Sequence, residues 1–85
     1  MSEERQTGRA WPPRGRFVGP RDRALLPVYL RLLDAAEAQA AWEEAAEIVL
    51  GLDVAAEGAK ELWAAYLARA QWMVDQGWTQ LATVD

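Results

Sequence analysis

The chain has 85 residues, with nine basic and thirteen acidic side chains, and its formal net charge is -4. It contains no histidine and no cysteine, which excludes imidazole bases, thiolate nucleophiles, zinc or haem ligand sets and disulfides. A chain of this length forms one small domain, and because it opens on Met1 we expect it to be the whole protein. No apolar run approaches the roughly 20 residues of a membrane span. We therefore expect a cytoplasmic, non-enzymatic interaction protein without a cofactor or a metal ion.

The net charge combines two segments of opposite sign. Residues 1–23 hold six arginines and three acids, whereas residues 24–85 hold three basic side chains and ten acids. All four prolines lie at or before Pro27. Such an N-terminal segment buries too little apolar surface to offset the entropy of ordering it. We expect residues 1–22 to form a flexible, disordered basic arm and residues 23–85 to form the folded domain.

Residues beyond Ala24 are rich in alanine, leucine and glutamate, which favour helices. Apolar side chains repeat there at three-residue and four-residue steps, and this periodicity predicts helices over residues 26–40, 41–50 and 57–76. Pro27 fits the first turn of the first helix, where its missing N–H costs little. The predicted fold class is all-α, with three helices around one core.

Glycines and tryptophans mark the ends and the filling of this predicted bundle. Gly51 and Gly77 are expected to end the second and third helices, since glycine readily adopts the left-handed conformation found there. A small domain has little core, so we expect Trp42, Trp63 and Trp78 to act as core fillers.

The second and third predicted helices invite comparison with a helix-turn-helix, in which the later helix enters the DNA major groove. Ala46 precedes Gly51 by five positions instead of the usual four, and the connector over residues 51–56 exceeds the ordinary turn. Two interpretations remain open at this point. One is a helix-turn-helix variant with a lengthened turn, and the other is a plain three-helix bundle with an irregular loop.

The charge on these two helices is unsuited to DNA. Affinity for a duplex comes largely from basic side chains that neutralise phosphates, yet Lys60 is the one cation among five nearby acids. The acidic surface comprises Glu43, Glu44, Glu47 and Glu57, with Glu61 beside it. It is either a solvated face or a surface that docks a basic partner, and a metal site on a pair such as Glu43 and Glu47 is not expected.

Trp72 is the strongest candidate for a partner contact. At 100° per residue it lies nearly opposite the apolar stripe of the third helix, on the side that carries Ala65, Ala68 and Glu61. A tryptophan on a smooth alanine surface is typical of a binding hot spot. The alternative is that the arm folds back and covers Trp72.

The arm also contains a Pro-Arg-Gly-Arg run over residues 13–16, which is similar to the centre of a minor-groove hook. Phe17 replaces the proline that normally follows, so we interpret the run as a chance tetrapeptide. A DNA-binding module that uses the arm and the third helix remains the alternative function.

Two motifs resemble a known family. The run Ala45-Ala46-Glu47-Ile48-Val49-Leu50-Gly51 and the later Gly77-Trp78-Thr79-Gln80-Leu81 resemble a proteobacterial domain-of-unknown-function family. That family is a helix-turn-helix variant with an extended turn, found in regulators of integrative and conjugative elements. Short, acidic members of it are antiactivators of the QseM type, linked to quorum sensing and horizontal gene transfer.

The resemblance implies that the chain binds the N-terminal domain of a transcriptional activator and has lost the basic, DNA-contacting side. The activator is then the expected partner, no DNA is expected on the folded body, and a monomer is expected. Self-association through Trp72 is a further alternative. The predicted partner-binding residues lie on the Trp72 side of the third helix and just beyond it, and they are Trp72, Ala65, Ala68, Glu61, Asp75 and Trp78.

Overall fold

A computed structural model describes residues 10–77, and all regular structure in that range is helical. This confirms the predicted all-α class. The elements are α1 (Pro20–Ala24), α2 (Leu26–Glu37), α3 (Trp42–Leu50), α4 (Ala59–Trp72) and a π-helical turn (Met73–Gly77) that continues α4. Helices α2, α3 and α4 contact one another, and the short helix α1 contacts α2.

Proline and glycine residues divide the chain much as expected. Pro20 opens α1, and Pro27 lies in the first turn of α2. Pro27 has no N–H to donate to a carbonyl of the preceding turn. The helical hydrogen-bond pattern is therefore interrupted at Leu25, between α1 and α2. Gly51 ends α3 with a φ of 69°, which confirms the predicted glycine stop.

Two helix bounds differ from the prediction, which placed the end of the first helix at residue 40 and the start of the third at residue 57. Helix α2 ends at Glu37 because the N–H groups of Gln39 and Ala40 donate to the carbonyls of Ala36 and Ala35, at 3.0 Å each. This is a Schellman arrangement, and Gln39 occupies its left-handed position with a φ of 63°. Helix α4 starts at Ala59, directly after the left-handed Gly58.

The connector of residues 51–58 is fixed by its own hydrogen bonds and by the core. The Asp53 carboxylate accepts a hydrogen bond from the Ala55 N–H at 3.1 Å, as in an Asx turn. Leu52 is buried, and Val54 packs partly against the core. These two side chains anchor the connector to the core.

Two tyrosines, and not the tryptophans, occupy the centre of the core. Tyr29 and Tyr66 are the largest fully buried side chains. Trp42 and Trp63 are only partly buried and contact each other at the edge, with ring centroids 6.0 Å apart. They pack against the core from its edge and do not fill its centre, so the prediction holds only in part. Trp78 lies outside the described residues. The buried cluster contains Tyr29, Leu32, Ala45, Ala46, Leu50, Leu52, Leu62, Tyr66, Ala70 and Met73.

The N-terminal segment differs most from the sequence-based expectation. Residues 10–19 lie against α4, and residues 20–24 form α1, so the expected boundary after residue 22 falls inside a helix. The described part of the expected flexible arm is thus integrated into the fold. Residues 1–9 lie outside the described residues, and for them the arm stays a prediction.

Candidate partner-binding surfaces

A buried ion pair joins the N-terminal segment to α4. Arg69 donates two hydrogen bonds to the Asp22 carboxylate, from Nε to Oδ1 at 2.9 Å and from Nη2 to Oδ2 at 2.6 Å. The Tyr29 hydroxyl donates to Oδ1 at 2.7 Å, and the Gly19 N–H donates to Oδ2 at 3.3 Å. Asp22 is 0% exposed and Arg69 is 7% exposed. Each oxygen of the Asp22 carboxylate therefore accepts two hydrogen bonds, as a buried carboxylate requires.

The pKa values of this cluster follow from its contacts. Burial raises the pKa of Asp22, but the hydrogen bonds from Arg69, Tyr29 and Gly19 and the Arg69 charge outweigh it, and the net pKa lies below 3.8. The hydrogen bonds to Asp22 raise the pKa of Arg69 despite its burial. Burial, followed by the contact with Asp22, raises the pKa of Tyr29. Asp22 and Arg69 are therefore both charged at neutral pH, and Tyr29 is neutral.

Arg69 also holds the backbone that precedes α1. Its Nη1 donates to the Gly15 carbonyl at 2.6 Å, and its Nη2 donates to the Phe17 carbonyl at 3.2 Å. The Tyr66 hydroxyl donates to the Ala10 carbonyl at 2.6 Å. Three side-chain contacts from two successive turns of α4 thus fix residues 10–17 along this helix.

This segment lies where the sequence predicted a free partner face. Trp72 is half-buried, and the Arg69 guanidinium carbon lies 4.1 Å from its ring centroid, a cation–π contact. Trp72 is therefore not a lone hot spot on an open surface. It shares an arm groove of about 360 Å³ with Trp11, Pro12, Pro13, Arg14, Ala65, Ala68 and Arg69.

The structure does not bring all the predicted partner residues together. Trp72, Ala65 and Ala68 share the arm groove, and Glu61 is exposed one turn before Ala65. Asp75 lines a different recess. Trp78 lies outside the described residues.

A second surface lies between α2 and the end of α4, which we call the apolar groove. It encloses about 180 Å³, and Leu30 and Val74 at its edge are 58% and 50% exposed. The groove is lined by Leu26, Tyr29, Leu30, Leu33, Ala70, Met73 and Val74.

Acidic side chains border one end of the apolar groove. Leu33 and Val74 also line an adjoining recess of about 570 Å³, together with Ala36, Gln71, Glu37 and Asp75. Two carboxylates therefore lie beside the exposed apolar side chains. This arrangement suits a partner that offers an apolar side chain next to basic ones.

The predicted acidic surface is solvent-exposed. Glu43, Glu44 and Glu47 lie on α3, Glu57 lies in the connector and Glu61 lies in the first turn of α4, and each is exposed. Lys60 is near them, with its Nζ 5.9 Å from the Trp42 ring centroid. Among residues 10–77 no group of acidic side chains is arranged to hold a metal ion. In the same range no helix is long and apolar enough to span a membrane.

Sequence reasoning missed the Asp22 and Arg69 pair, although a signal for half of it was present. Arg69 follows Leu62 by seven residues and Tyr66 by three, and it precedes Met73 by four, so it lies on the buried stripe of α4. A charged residue on such a stripe needs a buried partner. The residue that supplies it, 47 positions away, carries no comparable signal.

Comparisons of the chain with protein families, with curated proteins and with solved structures find no match.

Proposed function

We propose that the protein is a non-enzymatic antiactivator that binds the N-terminal domain of a transcriptional activator and prevents activation of horizontal gene transfer genes. The observation that carries this proposal is the apolar groove with its acidic border. Leu30 and Val74 remain largely exposed at a site where α2 and α4 already form a concave surface. When a partner covers exposed apolar groups at the edge of a groove, their removal from water favours binding.

The acidic surface supports a protein partner over DNA. Six exposed carboxylates lie on α3, the connector and α4, where Lys60 is the one exposed basic side chain, and they repel the phosphates of a duplex. We assign α3 and α4 to the helix-turn-helix variant of the family that the two sequence motifs resemble, because their connector over residues 51–58 is longer than an ordinary turn. On this assignment the start of the helix that reads DNA in that family carries Glu61 and Lys60 here, with Glu57 just before it, so it lacks a basic surface for DNA. The protein then acts by competing for a docking surface on the activator.

The groove can be tested with matched variants. The wild type, Leu30→Asp and Ile48→Asp are each tagged and used for co-purification from the native host, with the bound protein identified by mass. Ile48 is 61% exposed on α3 and is absent from the groove lining, so it controls for the added charge. We expect the wild type and Ile48→Asp to retain a transcriptional activator and Leu30→Asp to lose it. Equal retention by all three, or a bound protein unrelated to transcription, contradicts the proposal.

A DNA-binding function has one observation in its favour, which is the set of exposed arginines in the N-terminal segment. Arg14, Arg16, Arg21 and Arg23 are all exposed. A gel-shift titration on random-sequence duplex separates the two functions. We expect no shift at physiological salt, and binding that weakens steeply with added salt would support the DNA-binding alternative.

A further inference from the structure

Residues 10–23 carry more positive charge at their surface than their sequence suggests. Asp22 is the single acid in residues 10–23, and it is fully buried against Arg69. The four exposed arginines of this segment are therefore not offset by an exposed acid of the same segment. The resulting positive charge of this segment attracts carboxylates.

The arm groove lies between this basic segment and α4. Trp11, which is 51% exposed, and Trp72 line it together with Ala65 and Ala68. Alanine side chains leave room above the helix, and tryptophan rings supply large apolar area at low conformational cost. A volume of about 360 Å³ accommodates an apolar side chain and part of its backbone. Arg14 lines the same groove and is exposed.

The groove is held in shape before a ligand arrives. The Arg21 guanidinium donates to the Trp11 carbonyl at 2.7 Å, and Tyr66 holds the adjacent Ala10 carbonyl. Farther along, Arg69 holds the Gly15 carbonyl. Fixing a binding loop in advance lowers the entropic cost of binding.

We infer that the arm groove binds an acidic peptide segment of a partner protein, with an apolar side chain between Trp11 and Trp72 and a carboxylate beside Arg14. This surface is separate from the apolar groove, so the inference goes beyond the proposed function. Glu61 is exposed one turn before Ala65, and its charge repels a carboxylate there. The acidic side chain of the peptide therefore lies away from Glu61, beside Arg14.

Single-stranded nucleic acid fits this surface less well. Base stacking needs accessible ring faces, and Trp72 is half-buried with Arg69 against its ring. A nucleic acid strand also carries phosphates at every step. Those that extend beyond the groove past Ala65 would meet Glu61, which is exposed.

The test is selection from a displayed library of random twelve-residue peptides against the full chain. We expect the selected peptides to combine aspartate or glutamate with an apolar residue. Measured by fluorescence anisotropy, the affinity of a selected peptide should fall at least tenfold in Arg14→Glu and in Trp11→Ala. Arg31→Glu alters an exposed arginine on α2 that does not line the groove, and it should change the affinity by less than about twofold.

Other outcomes overturn the inference. A library that yields no binder or only basic peptides contradicts it, as does an equal loss in Arg14→Glu and Arg31→Glu. Displacement of the peptide by a dT20 oligonucleotide at physiological salt would assign the groove to nucleic acid instead. Leu30→Asp should leave peptide binding unchanged, so failure here and failure of the proposed function can be told apart.

Discussion

Removal of the Asp22 carboxylate should destabilise the protein severely. In Asp22→Ala the Arg69 guanidinium stays buried without its countercharge, and the Tyr29 hydroxyl loses its acceptor. Breaking a buried pair from one side costs about 3–5 kcal/mol. Small domains have roughly 0.05–0.15 kcal/mol of stability per residue, so this loss is a large part of the total. We expect the melting temperature to fall by at least about 12 °C.

Urea unfolding followed by far-UV circular dichroism at neutral pH measures this loss. Asp34→Ala, which removes an exposed acid on α2, is the control and should change the free energy of unfolding by less than about 0.5 kcal/mol. Arg69→Met and the double variant complete a mutant cycle. Because the double variant leaves neither charge buried, its loss should be smaller than the sum of the single losses. Additive losses, or a loss in Asp22→Ala equal to that of Asp34→Ala, would refute the reasoning.

Three further predictions concern stability. The pKa of Asp22 lies below 3.8 in the folded protein. Its contribution to stability is therefore present above that pH and is lost as the pH falls through the folded value. Urea midpoints should drop on acidification below about pH 4, and they should drop less in Asp22→Asn. Gly51 has a φ of 69° and open space around it, so Gly51→Ala should lower the stability by about 1 kcal/mol. Gln39 has a φ of 63°, which glycine adopts without strain, so Gln39→Gly should raise the stability by about 0.5–1 kcal/mol. Thermal melts that move both variants in the same direction would contradict this. Tyr66→Phe removes the hydrogen bond to the Ala10 carbonyl and should cost about 1 kcal/mol, with faster amide exchange confined to residues 10–17; uniform acceleration across the chain would argue against it.

The helical class and the glycine stop at Gly51 could be predicted because each depends on local sequence. Helix periodicity and the left-handed preference of glycine act within a few residues. The end of α2 could not be predicted, since it depends on Gln39 adopting a conformation that few non-glycine residues adopt.

The contacts of the N-terminal segment depend on residues that are far apart in sequence. Composition indicated a flexible arm because proline, glycine and arginine bury little apolar surface. Hydrogen bonds from Tyr66 and Arg69 to backbone carbonyls hold residues 10–17 instead, and no periodicity predicts which carbonyl a side chain will meet. For this reason the N-terminal segment lies beside Trp72, which the sequence indicated only as an alternative, and the candidate site includes residues of that segment.

The most direct test of the proposed antiactivator function is transcription in a purified system. The activator identified by co-purification, its promoter and the host RNA polymerase are combined, and the protein is added at increasing concentration. We expect activated transcription to fall to the basal level as the protein reaches the activator concentration, with Ile48→Asp equal to the wild type and Leu30→Asp ineffective. Full activation at a tenfold excess of the wild type would contradict the account.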